Sequence, residues 1–171
     1  MTGTTWYLKK LYSFQTLCLL TRFINEDIAE EVASKLFEIM AYPTHGPIRY
    51  YIECFAIRCT ILFPKVFSRE LIKGLETFTC TVQMQSSLLI ILGYLLCSDE
   101  VDKSVRKFLD LEEIVLCIAP WLGSTQGFVR ACSQLLAHEL IPKVKRSPYL
   151  DRLKIFLDNN VEMKNLRKKQ R

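Results

Sequence analysis

Apolar residues recur at i, i+3 and i+4 along nearly the whole chain, and no sustained alternation or Asn-Gly or Asp-Gly turn announces a strand. The pattern predicts an all-α fold. A first helix is expected from Thr5 to Phe23, with Trp6, Leu8, Leu11, Phe14, Leu17 and Leu20 spread too widely for one narrow stripe. Asn25 or Asp27 can cap a second, because a side-chain oxygen there accepts an unpaired first-turn N–H; Asp27 and Glu30 have capping-box spacing. Ile28, Val32, Leu36, Phe37 and Met40 form its expected buried face, and Pro43 lies beyond its end.

Pro47 suits the first position of a third helix, since its missing N–H would have no partner there. Ile48, Tyr51, Ile52, Phe55, Cys59 and Leu62 should be buried, and Pro64 closes the helix. A fourth runs from Pro64 or Ser68 to Phe78 over Phe67, Leu71 and Leu75. Gly74 within it costs about 1 kcal/mol relative to alanine and permits close helix approach. The fifth, Thr81 to Leu96, has a nearly all-apolar second half and should be central in its stack. A short helix from Val101 to Leu109 follows, then one begun by Asp110 and broken near Pro120. Phe128, Val129, Cys132, Leu135, Leu136 and Leu140 mark an eighth, and Ser147-Pro148 can open a ninth. These eight or nine helices are expected to form a helical domain over residues 1–158, with a basic, polar tail over 159–171.

Two helices begin alike. Pro47-Ile48-Arg49 and Phe128-Val129-Arg130 each precede an apolar run that ends at a Pro-Lys pair, Pro64-Lys65 or Pro142-Lys143. Half the separation of the two arginines falls within the fifth helix, at Ser86 to Leu89, which is the spacing of paired-helix units of about 40 residues. The reading is a HEAT- or armadillo-like α-solenoid, each unit burying its apolar face on its neighbours; an irregular bundle with an accidental arginine match is the plainer alternative. In such a unit Arg49 and Arg130 are expected to reach back into the preceding turn and bond its carbonyls or an acid, a structural role that outweighs nucleic-acid contact. A solenoid segment with both end faces bare should also associate through them.

The formal charge of +5 alters this picture because of where it lies. Residues 143–171 contain ten Lys or Arg against three Asp or Glu, whereas the rest of the chain is slightly acidic. Lys143, Lys145, Arg146, Arg152, Lys154, Lys164, Arg167, Lys168 and Lys169 are the candidate RNA contacts, interleaved with Tyr149 and Phe156 as on surfaces that meet phosphates and stack bases. A solvated basic end is the competing explanation. The longest apolar run, Leu88 to Cys97, is half of the roughly 20 residues a membrane helix needs, so no membrane span is expected. Seven cysteines, odd in number and without a Cys-x-x-Cys pair, fit small core residues of a reduced intracellular protein of nucleus or cytoplasm.

Candidate chemistry is sparse. His45 and His138 have no carboxylate or thiol at the spacing of a triad or metal site, and the six glycines form neither Gly-x-Gly-x-x-Gly nor a phosphate loop. No catalytic, cofactor-binding or metal-binding residue is expected.

The succession Val32 to Met40, His45-Gly46-Pro47-Ile48-Arg49-Tyr50-Tyr51-Ile52-Glu53, Ser86-Ser87-Leu88-Leu89-Ile90-Ile91-Leu92-Gly93 and Pro120-Trp121-Leu122 before Gly127-Phe128-Val129-Arg130 resembles the non-catalytic helical region of the TAR RNA-binding protein family. Its members are large eukaryotic tRNA guanosine 2′-O-ribose methyltransferases whose helical arm precedes a knotted, S-adenosylmethionine-binding domain of the SPOUT class. The resemblance covers about Val32 to Pro142, and the knotted domain has no counterpart here. It implies a non-catalytic fragment, short isoform or partial gene product of such a parent, partnered by the parent's other repeats and methyltransferase domain and helping to bind or position tRNA. The methyl donor would belong to the parent. A HEAT-type protein-interaction scaffold with no RNA role is the alternative.

Overall fold

A computed structural model describes residues 5–76, 81–144 and 151. The elements are all helical: α1 (Thr5–Leu20), a 3-10 turn (Thr21–Phe23), α2 (Glu26–Ala41), α3 (Gly46–Leu62), α4 (Pro64–Glu76), α5 (Val82–Cys97), α6 (Lys103–Arg106), α7 (Leu111–Ile118), a 3-10 segment (Ala119–Gly123), α8 (Gly127–Leu140) and a final 3-10 turn (Ile141–Lys143). No strand occurs among the described residues, and no helix there is long and apolar enough to cross a membrane. Apart from Asp151, which is helical, the expected ninth helix and the basic tail lie outside the described residues. The contacts divide the chain into two units, Met1–Leu109 and Asp110–Arg171.

Local chemistry explains the boundaries. Asn25 caps α2 by accepting the Ile28 N–H at 3.3 Å, so Asp27 falls inside the first turn, where its charge favours the helix N-terminus, and does not start the helix. Thr81 caps α5 through the Met84 N–H at 3.2 Å. Asp110 Oδ1 accepts the N–H groups of both Glu112 and Glu113 at the start of α7. Pro64 both ends α3 and opens α4, and Pro120 turns the end of α7 into a 3-10 segment.

In the first unit α1, α3 and α5 pack side by side, α2 packs on α4, and α3 and α5 each touch both α2 and α4, making two layers. Ile48, Ile52, Phe55, Phe67, Leu71, Leu88, Leu92 and Leu95 fill the space between them. The fully buried large side chains each contribute about 1.5–3 kcal/mol of transfer free energy. α5 is buried along most of its length, as its composition predicts. The second unit packs α8 against α7 and the two 3-10 segments over Ile114, Ile118, Leu122, Val129 and Leu140.

Three stripes differ from the periodic reading. α2 turns Ala29, Ala33, Leu36, Phe37 and Met40 inward and leaves Ile28 42% exposed, because two alanines allow closer approach than the branched residues one position away. Leu62 at the end of α3 is exposed, as are Phe128 and Leu135 on α8, whose buried side includes Ser133, Gln134 and Ala137.

Gly74 lies where α4 meets α5: a Cβ added there would stand 3.2 Å from Leu88 Cδ1 and 3.5 Å from Met84 Cε. Leu88 has no exposed surface into which to retreat. Gly74→Val should therefore destabilise the chain by about 1–3 kcal/mol through overpacking, read as a lower urea midpoint with an unchanged slope.

Candidate functional site

The densest polar cluster surrounds Arg49, the fourth residue of α3. Its guanidinium donates from Nη1 to the Met40 carbonyl at 2.7 Å, from Nη2 to the Gln83 carbonyl at 3.1 Å and from Nε to Ser87 Oγ at 2.6 Å. Ser87 passes the contact on by donating its hydroxyl to Glu53 Oε1, and that carboxylate also lies 3.9 Å from Arg49 Nε. The last turn of α2, the start of α3 and the first half of α5 thus meet at one charge. Burial pulls the guanidinium below its ordinary pKa, and Glu53, one turn away, offsets part of that effect.

Gln83 completes the cluster. Its side-chain amide accepts the Thr44 N–H at 2.8 Å and donates to the Thr44 carbonyl at 2.6 Å, so the turn between α2 and α3 is held by α5. Arg130 has the corresponding place in α8, also the fourth residue of a helix that opens with glycine, and donates from Nη1 to the Ser124 carbonyl at 2.6 Å. Gln134, one turn further, donates to the Leu122 carbonyl at 2.9 Å. Both arginines bond back to the segment preceding their own helix. Arg49 is only 4% exposed, so its guanidinium is unavailable to a phosphate.

Sequence reasoning missed several partners of this kind. Arg58 Nη1 donates to the Cys18 carbonyl at the end of α1 at 2.8 Å, and Arg106 Nε donates to the Leu95 carbonyl near the end of α5 at 3.1 Å. These carbonyls lie in the last turn of a helix, where no further N–H follows, which is why guanidinium groups collect there. A signal for them would have been an arginine on an otherwise apolar helix, as with Arg58 between Ile57 and Cys59.

Of the candidate RNA contacts, Lys143 is exposed and pairs with Glu139 at 3.8 Å. Lys145, Arg146, Arg152, Lys154, Lys164, Arg167, Lys168 and Lys169 lie outside the described residues. The Tyr7 and His45 rings meet edge to face at 5.7 Å, and His138 Nδ1 is 3.9 Å from Glu139. Among the described residues, no three His, Cys, Asp or Glu side chains gather in a way that would hold a metal.

Depressions on the surface of the first unit include three lined by described residues. A cleft of about 250 Å³ lies beside Trp6, His45 and Lys10, whose ammonium sits 4.0 Å above the indole ring. One of about 520 Å³ joins Glu26, Glu30, Lys65 and Arg69 at the ends of α2, α3 and α4. The third, about 340 Å³, runs between α1 and α2 and is lined by apolar side chains together with Glu31 and Lys35. No protein-family model matches the chain, and neither a curated protein nor a solved structure matches it.

Arg49→Met should destabilise the chain by about 3–5 kcal/mol, because it strands buried acceptors and Glu53. Arg49→Lys should recover little, since one ammonium cannot span acceptors that the planar fork reaches together. Arg130→Ala, at a half-buried site, should cost about 1–2 kcal/mol. Urea titrations would rank the three.

The thiols make a second prediction. Burial, followed by the nearby Cys18, pushes the Cys59 thiol up to about 12, whereas Cys97 is exposed. Because the thiolate is the nucleophile, iodoacetamide at pH 8 should label Cys97 readily and Cys59 only after denaturant is added, as mass spectrometry of tryptic peptides would report.

Proposed function

We propose that this chain is a helical-repeat module, non-catalytic by itself, that helps to bind or position tRNA for a methyltransferase of the family it resembles. The recurring arginine supports the repeat. In both units a helix opens with glycine, places arginine fourth, and ties that arginine to a carbonyl of the segment before it. With α2/α3 and α4/α5 arranged as successive pairs in two layers, this is how a HEAT-like solenoid fixes its turns.

The basic segment beginning at Lys143 supports the RNA part, since ten cations over residues 143–171 give a phosphate backbone a place to displace its counterions. In this reading the chain supplies surface and stiffness, and S-adenosylmethionine belongs to a separate domain. The chain has no glycine-rich loop, and no strand occurs among the described residues to seat that cofactor, so no reaction step is assigned to its side chains.

A second reading, a protein-interaction scaffold without RNA, is favoured by the exposed aliphatic side chains along α1 and α2. Fluorescence anisotropy with labelled tRNA separates the two. The RNA reading expects an affinity that falls roughly 10–100-fold between 50 and 200 mM salt and is lost when residues 143–171 are removed. Binding that is absent, or indifferent to both changes, leaves the scaffold.

A further inference from the structure

We propose that the groove between α1 and α2 is a docking site for a basic amphipathic helix of a protein partner. The proposal goes beyond the tRNA reading and does not depend on it, since the groove residues are distinct from the basic segment that begins at Lys143.

One wall is the α2 series Ile28, Val32, Lys35 and Ile39, whose alternating steps of four and three residues form a straight stripe like the seam of a coiled coil. The other wall is Phe14, Leu17 and Leu20 of α1. Leu17, Leu20, Ile28 and Ile39 are each 38–44% exposed. Singly such exposure is ordinary, but four large aliphatic side chains along one groove form a contiguous apolar patch of the kind that marks an interaction site. α2 has 16 residues, about 24 Å of helix, and so offers a partner helix roughly four turns of contact.

Charge selects the partner. α2 carries five carboxylates and one lysine. Glu38 holds that Lys35 at 3.0 Å, and Arg69 lies 3.5 Å from Glu30 on another side. Glu31 lines the groove, and Asp27, one turn before it on α2, is exposed; neither forms an ion pair among the described residues. α1 contributes no charged side chain to the lining. An apolar floor with an acidic edge is complementary to a helix whose apolar residues recur at i, i+3 or i+4 and i+7 and are flanked by Lys or Arg. The same edge disfavours a phosphate backbone, and it disfavours a second copy, which would bring α2 with its own carboxylates against it.

The test uses the full chain and two labelled synthetic helices of 18 residues, identical in their leucine seam and flanked by lysine in one and glutamate in the other. Anisotropy should show the lysine peptide binding at least ten-fold more tightly. Ile28→Glu, a substitution at a position 42% exposed, should weaken it by ten-fold or more, and the double substitution Asp27→Lys, Glu31→Lys should reverse the preference. Excess tRNA should leave the peptide affinity unchanged. Circular dichroism would establish that the variants keep their helices. The proposal is overturned if neither peptide binds, if the two bind equally, if the charge reversal leaves their order intact, or if tRNA displaces the peptide. Peptide binding that Ile28→Glu leaves unaltered would retain a scaffold and move its site elsewhere. Sedimentation showing a dimer that Ile28→Glu dissolves would give the groove to a second copy and also end the proposal.

Discussion

A buried guanidinium organises the first unit. Taking Arg49 out of water is unfavourable unless its N–H groups find acceptors, so its position constrains everything that supplies them. The acceptors come from three elements: the Met40 carbonyl of α2, the Gln83 carbonyl and Ser87 hydroxyl of α5, and, through Ser87, the carboxylate of Glu53 on α3 itself. Apolar packing of Ile48, Ile52, Leu88 and Leu92 supplies most of the favourable free energy but is tolerant of small displacements. The guanidinium is not, because a fork of planar donors has few positions in which all three directions are met. Hydrophobic burial makes α2, α3 and α5 associate, and Arg49 selects one relative placement.

Guanidinium groups at helix ends recur. Arg58 serves the end of α1, Arg106 that of α5, and Arg130 the 3-10 segment ahead of α8. Each long side chain bridges a carbonyl that the helix itself cannot satisfy to a neighbouring element, so the termination of one helix also becomes the attachment of the next. Gly74 serves the same end by the opposite means, since the missing side chain lets α4 and α5 approach to van der Waals contact at Leu88.

Much of the fold is legible in the sequence because it depends on local chemistry. Asn25, Thr81 and Asp110 act where an unpaired N–H group needs an oxygen, and Pro47, Pro64 and Pro120 where the ring tolerates a helix start or break. The inward stripe of α2 is harder to read, because Ala29 and Ala33 carry little hydrophobic weight yet face the core, while Ile28 is the stronger apolar residue and stays outside. Arg49 can be singled out from its repetition at Arg130, but Gln83 and Ser87 cannot, since their partners lie more than thirty residues away and no local rule links them. The groove between α1 and α2 is hidden for the same reason: its two walls become one surface only when the helices pack.

The Gln83 amide bonds the backbone N–H and carbonyl of Thr44, a pairing otherwise made by a neighbouring strand, and uses no atom of the Thr44 side chain. The clamp is therefore blind to the identity of the residue it holds. Tyr42 and Pro43, exposed beside it, take no part in that clamp, whereas His45 is held separately by the Tyr7 ring. Such a turn is a fixed frame for a variable inscription: its path is set from α5, and its outward side chains are left open to change.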